Sequence, residues 1–344
     1  MTENQNYTKN NLFEKHASGL IIVKSVNSNF NADFSGTPRR LPDEKGTIYA
    51  TDKSLKYCIR KYILDNEPSS KIFVWRRRND NLDPMTIEEN YYALFNSSKK
   101  NGKEDYKKIV KNLLSCIDVR MFGVTFTPKS NSNLSSLSIT GPIQISYGIN
   151  AIEENVHYIN QILSPYRDDK EKQQAKHTTI GEESKALEIH YIFDFIVNPN
   201  TLKSNFILQK LEEKEQYLLS NSDVNIFKEA ARLGVHNVNS TTKIGSETEC
   251  FIYIEYDEPI CLQNLKHFID FENTKENGKT RIKINRLLDY IKENKKALSP
   301  NNTIKIEVYF DPAKTEIEKG RISEETEHIT LELKNLLTGH NLNS

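Results

Sequence analysis

Lys53, Lys56 and Arg60 recur at i, i+3 and i+7 in a stretch whose apolar residues keep a helical period. All three side chains therefore leave one helix edge within two turns. Cations at that pitch are donors that successive phosphates of a nucleic-acid strand could use. Lys61 flanks them, and an ordinary solvated helix face has the same pattern, so the spacing alone leaves both readings open. Upstream, a polar stretch holds Asn31, Asp33, Ser35, Gly36, Arg39 and Arg40. Glycine lets a backbone approach a ligand closely, and adjacent guanidinium groups can fork onto phosphate oxygens. An exposed turn would carry the same residues. Downstream, Arg76, Arg77 and Arg78 follow Trp75, a place where bases or sugars could stack on indole and guanidinium planes. The alternative is a core tryptophan at the end of a soluble strand.

Catalytic groups are sparse. No Walker or dinucleotide phosphate loop is present, nor GxSxG, nor HExxH. Asp33, with His16 upstream, is the one pair that could hold a metal for RNA cleavage. Cys58, Cys116, Cys250 and Cys261 show no CxxC spacing, which reads as four reduced thiols in or near the core. The eight histidines are scattered, so neither a metal site nor a cofactor is expected.

The elements that must position these residues follow from periodicity. Residues 19–26 read as a first strand, 27–46 as a loop, and Thr51 or Asp52 as the cap of a helix to about Leu64. Leu55, Ile59, Tyr62 and Ile63 supply its buried stripe. Further strands are expected at 72–78, 119–127, 137–147, 186–197, 250–256 and 304–310. Helices are expected at 87–95, 105–116, 223–233 and 281–296. Residues 150–183 are charged and weakly patterned, an expected projection from the core; the first ten and last residues are expected to be loose. The order is that of an α+β fold, compatible with a split βαβ core.

Net charge is zero, but residues 1–130 hold 22 Lys and Arg against 15 Asp and Glu, an excess of seven that the rest of the chain cancels. A basic and an acidic half suit a nucleic-acid surface or head-to-tail stacking of copies, and chance variation gives the same asymmetry. No apolar run reaches membrane-spanning length, and the N-terminus lacks a secretory signal, so a cytoplasmic protein without a membrane partner is expected.

Five segments together resemble the CRISPR Cas-seven family of the RAMP superfamily, in its type I-B branch. Thr51–Leu55–Lys56 through Ile59–Arg60 resembles TDxxLKxxIR, and Asp118–Gly123 resembles DVRLFG. Ser138–Gln144 resembles S-[IL]-TGPVQ, Val197–Asn200 resembles VNPN, and Asn239–Gly245 resembles N-x-x-[TR]-S-K-[MI]-G. They occur in family order across roughly three-quarters of the chain. The resemblance implies one domain over 1–344: a modified ferredoxin-like or RNA-recognition-motif palm, helical fingers inserted near 66–118, a thumb near 150–185 and a partly loose segment 312–344. It also implies a non-catalytic subunit stacked in several copies along a guide RNA within Cascade, meeting target DNA through the guide and touching the other Cascade subunits. Carried onto matched positions, the guide contacts are Lys56 and Arg60, with Lys53 beside them and Lys243 in the last motif. Asn31, Arg39 and Arg40 lie in the corresponding but poorly matched loop. Arg120, Thr140 and Gln144 lie in matched segments whose role could be structural. Cys58, where relatives often carry a basic residue, and Glu249–Cys250, in a region often richer in arginine, depart from the pattern. Two other readings stand beside it: a metal-dependent endoribonuclease of type III kind using Asp33, and an assembly protein touching RNA only incidentally.

Overall fold

The computed structural model describes residues 11–96, 106–127, 136–163, 180–238, 240–274, 278–320 and 328–342. The expected loose first ten residues, the tip of the expected projection (164–179), Asn239 and the last two residues lie outside these.

In chain order the elements are β1 (His16–Ser28), β2 (Tyr49–Ala50), α1 (Asp52–Asn66), α2 (Ile87–Phe95), α3 (Tyr106–Leu114), α4 (Ile117–Phe122), β3 (Gly123–Phe126) and β4 (Leu137–Thr140). Then come β5 (Ile143–Ile145), β6 (Gly148–Asn150), β7 (His157–Leu163), β8 (Ile180–Val197), α5 (Asn200–Lys203), α6 (Asn221–Leu233) and β9 (Ser246–Tyr256). The chain finishes with β10 (Asp270–Thr274), β11 (Lys279–Lys283), α7 (Asn285–Glu293), α8 (Lys295–Leu298), β12 (Ile304–Phe310), β13 (Thr315–Glu318) and β14 (Ile329–Asn335). The fold is α+β around one large sheet, ordered β14-β12-β9-β1-β8-β6-β2, with β5 and β7 also paired to β8.

β1 is central because both its faces are apolar. Ala17, Ile21 and Val23 point to one side, where α1 and α6 pack. Leu20 and Ile22 point to the other, covered by α7, Leu265 and Ile282 of β11. A strand buried on two sides reads as the near-continuous apolar run seen in the sequence. β8 and β9 are both antiparallel to β1 and flank it, so they are parallel to each other, with α6 as the crossover between them. β5 and β6 pair antiparallel with β8 on its far side. A third, smaller core gathers Phe73, Tyr91 of α2, Ile109, Val110, Leu113 and Leu114 of α3, Val119 of α4, Phe126, Ile139 and the leucines at 202, 208, 211 and 218.

Several expected elements differ. Residues 72–78 form no strand, because the backbone N–H groups of Phe73 and Val74 donate to the Asp118 carboxylate at 2.8 and 3.0 Å instead of to a ladder. Residues 119–122 belong to α4: Val119 and Arg120 N–H both bond the Cys116 carbonyl, and Gly123 at φ 81° ends the helix. The expected strand 137–147 breaks at Gly141-Pro142 and serves two sheets, β4 pairing with β3 and β5 with β8. Residues 281–283 close β11 before the helix begins, since Ile282 pairs with Phe271 and Ile317. In the segment expected to project, β7 pairs with the start of β8. The C-terminal segment, expected to be partly loose, supplies β14, parallel to β12, where Ile329, Leu331 and Leu333 pack on the core and Lys305 reaches Glu332. Its acidic and Asn-rich flanks masked a period-two strand.

The switch at Gly141 has no room for a side chain. A Cβ there would lie 2.4 Å from the Gly123 nitrogen and 2.4 Å from the Met121 carbonyl oxygen, both backbone atoms. Gly141→Ala is expected to cost about 3 kcal/mol by forcing β3 and β4 apart. Urea denaturation checks it, and a change near zero would show that this junction can shift freely.

Candidate nucleic-acid interface

After β1 the chain enters the loop 29–50, which is tied down by side-chain amides. Asn29 N–H donates to the Thr242 carbonyl at 2.6 Å, and its amide donates to the carbonyls of Gly36 (2.9 Å) and Ser184 (3.2 Å). Asn31 Oδ1 accepts from the Thr51 N–H (2.9 Å) and hydroxyl (3.0 Å), fastening the loop to the start of α1. Asp33 accepts from the N–H and hydroxyl of both Ser35 and Thr37 at 2.8–3.0 Å. Led by the Ser35 hydroxyl, these bonds hold its pKa down to about 2. The turn they build presents Phe34 wholly to solvent. His16 is not near: it begins the 13-residue β1, so the strand's length, about 40 Å, separates it from Asp33. There it bonds Asn198 Oδ1 at 3.2 Å.

The cations singled out in the sequence sort into two groups. Most are engaged within the chain. Arg60, 9% exposed, donates from Nε to Asp118 Oδ2 at 3.0 Å and lies 5.2 Å from the Phe122 ring centre. Lys56, 8% exposed, bonds Asp52 at 3.1 Å and lies 5.3 Å from the same ring. Arg120 forks onto Asp223 at 3.1 and 2.8 Å and bonds the carbonyls of Leu114 and Ser115. Arg77 bonds Asn90 Oδ1 (2.6 Å) and the Ile72 carbonyl (2.9 Å). Arg40 is exposed but bonds the carbonyls of Gly46 and Asn155 and Nδ1 of His157. Arg78 donates to the Leu82 carbonyl. Lys243 donates to the Phe30 carbonyl with its ammonium 5.0 Å from the Phe30 ring centre, and burial lowers its pKa. Gln144 donates to the Gly141 carbonyl at 2.8 Å, and Thr140 stands on the open face of β4.

The second group is Arg39, Lys53 and Arg76, whose side chains make no hydrogen bond or ion pair among the described residues. Lys53 and Arg76 are exposed. Arg39 is half-buried, and its Nε is enclosed without a partner. An enclosed donor left open is uncommon in folded chains. Lys53, Lys56 and Arg60 therefore do not stand in one exposed row: Lys56 and Arg60 turn inward against Phe122 while Lys53 stays out.

Two features escaped the sequence reading. One is Asp118, whose carboxylate is wholly buried and joins three donors. The other is Tyr57, 43% exposed on α1, stacked on Trp75 with ring centres 5.1 Å apart and planes 10° from parallel. Its position, four residues after Lys53 and off the stripe of Leu55, Ile59 and Tyr62, was the available signal. Cys58, Cys116 and Cys250 are buried free thiols and Cys261 is half-buried. Burial pushes Cys58 up to about 11 and Cys116 up to about 12. Among the described residues no cluster of three or more His, Cys, Asp or Glu could hold a metal ion. Among the described residues, no helix is long and apolar enough to cross a membrane.

Removing the carboxylate strands Arg60 and two backbone N–H groups in the interior. Asp118→Ala is expected to lose roughly 3–5 kcal/mol of stability. Chemical denaturation reads it, and a loss under about 1 kcal/mol would mean that the Asp118 contacts contribute no more than surface ones.

The family model described as CRISPR-associated protein Cas7 matches residues 15–305. No curated protein matches the chain significantly in sequence. Among solved structures, a chain of a "CRISPR RNA-guided surveillance complex, pre-nicking" is similar with a TM-score of 0.48 and 11% identity, over 89% of this chain and 96% of that one. A chain of a "CRISPR RNA-guided surveillance complex" has a TM-score of 0.44 and 12% identity, over 88% and 94%.

Proposed function

We propose, from the premise that this chain belongs to the CRISPR-associated protein Cas7 family, that it is a guide-RNA-binding backbone subunit of a type I-B Cascade. In this reading several copies stack along one guide in the cytoplasm beside other Cascade subunits, and target DNA is met by base pairing with the guide. The family match over residues 15–305 carries the proposal.

The palm of this reading is a ferredoxin-like core made of β1, α1, β5/β6, β8, α6 and β9. The spatial order β9-β1-β8-β5/β6, with α1 and α6 on one face, supports it. Arg39, Lys53 and Arg76 are the phosphate donors, because their charges are not committed elsewhere. Arg60, Arg120, Arg77 and Lys243 act one step back, by fixing α1, α4, the 72–78 segment and the first loop. Lys56 and Arg40 lie between the groups, each engaged yet at the rim of the interface.

The subunit performs no cleavage in this reading. The Asp33 carboxylate braces its own turn, with three hydrogen bonds to Oδ1 and one to Oδ2, so its present role is structural. Incubating the complex with complementary RNA and a divalent metal tests this. Intact RNA is expected; cleavage that disappears in Asp33→Ala would establish the endoribonuclease instead.

Replacing Arg39, Lys53 and Arg76 together by Ala should weaken binding to all RNA sequences alike. The slope of log K against log salt should become shallower by about two units, from about 0.7 per phosphate contact on a single strand. Melting temperature should stay nearly unchanged. Arg60→Ala should lose stability and binding together. An unaltered salt slope in the triple variant would remove those three residues from the interface.

A further inference from the structure

Tyr57 and Trp75 form a near-parallel stack at the surface, and two exposed cations without side-chain partners, Lys53 and Arg76, neighbour it along the chain. Lys53 lies one helical turn before Tyr57 on the same face of α1, and Arg76 directly follows Trp75. Val74, 40% exposed, widens the apolar patch. The acids of α1 are occupied: Asp52 with Lys56, and Asp65 with Lys61 and the Asn237 amide. The patch thus offers an aromatic plane and two free positive charges, with no uncommitted carboxylate on the helix to oppose an anion.

We infer that the Tyr57–Trp75 stack is a base platform: an unpaired nucleobase of the guide RNA continues the aromatic stack while Lys53 and Arg76 hold the phosphates on either side of it. This rests on the guide-binding reading and extends it from phosphate contact to base contact. Stacking accepts every base because every base has a π face, so a guide of any sequence can use it. A protein partner would also favour Tyr and Trp, but it would ordinarily bring carboxylates for both cations and bury the whole patch. The pairing of one stacking plane with two flanking charges fits a single strand better.

Trp75 is the chain's only tryptophan, so its emission reports this site without labelling. The experiment titrates purified protein with a fluorescently end-labelled single-stranded RNA of mixed sequence, following RNA anisotropy and tryptophan emission in parallel. Quenching that tracks the anisotropy curve is expected. Tyr57→Ala should weaken binding about ten-fold, within the range of losing one stacked base, whereas Tyr57→Phe should bind like the parent. Tyr57 is surface-exposed, and circular dichroism of each variant confirms that its fold is unchanged. RNA binding with unquenched Trp75 emission and an indifferent Tyr57→Ala overturns the platform while leaving guide binding intact. No RNA binding by parent protein or by its co-purified complex overturns both. Emission that changes with protein concentration but not with RNA assigns the patch to a protein contact and overturns the platform too.

Discussion

The Asp118 carboxylate receives Arg60 Nε from α1 and the backbone N–H groups of Phe73 and Val74, all within 3.0 Å, in a site closed to solvent. Three parts of the chain distant in sequence meet there. An isolated buried ion pair adds little net stability, because desolvation of both charges offsets their attraction. Here the carboxylate also satisfies two backbone donors that would otherwise be orphaned, which costs far more to undo. The consequence reaches the surface. With Arg60 locked inward, the rotation of α1 about its axis is set, and so are the outward directions of Lys53 and Tyr57. With Phe73 and Val74 locked, Trp75 arrives against Tyr57.

The segments that resemble family motifs are knotted to one another in the same way. Arg60 of the first meets Asp118 of the second. Gly123 of the second lies against Gly141 of the third, and the Pro142 carbonyl of the third accepts from Asn198 of the fourth at 2.9 Å. Gly245 of the last, at φ 98°, accepts at its carbonyl from the Val26 N–H where β1 ends. The motif positions thus build the frame. The uncommitted cations stand outside it: Arg39 and Arg76 fall in no motif, and Lys53 occupies an unspecified position of TDxxLKxxIR.

The sequence was most informative where one period ruled. The helices 52–64 and 87–95 emerged close to their true bounds because their apolar residues repeat cleanly, whereas the strand expected at 186–197 matched β8 only at its C-terminal end, β8 starting at Ile180. It was least informative where a long-range polar contact overrode local preference. Ile72–Trp75 is strongly strand-forming by composition, yet a carboxylate more than forty residues away takes its donors. The sites divide likewise. Residue type and spacing singled out the cations, but they could not tell exposed Lys53 from enclosed Arg60, because that depends on which face of α1 meets Phe122. Arg39 and Arg40 are neighbours of the same type; the second is engaged by the β7 side of the molecule and the first is not.

The sheet itself constrains where a strand of nucleic acid can lie. RNA-recognition-motif domains stack bases on the sheet face that helices leave bare. In this chain that face carries Leu20, Ile22, Ile252 and Ile254, each fully buried beneath Leu265, Ile282, Leu287 and Ile291. Uncovering it would expose an entire core, a cost no few stacked bases could offset. Any aromatic contact to a base must therefore be made at the rim, on the outside of a helix or at a loop tip. Among the described residues, Tyr57 with Trp75, Phe34 on its Asp33-braced turn, Tyr147 stacked on Tyr49, and Phe206 have that placement. The first has Lys53 one helical turn before it and Arg76 next in the chain, both exposed, and with zero net charge to draw an anion from afar, such local charge would count for more than the field of the whole molecule.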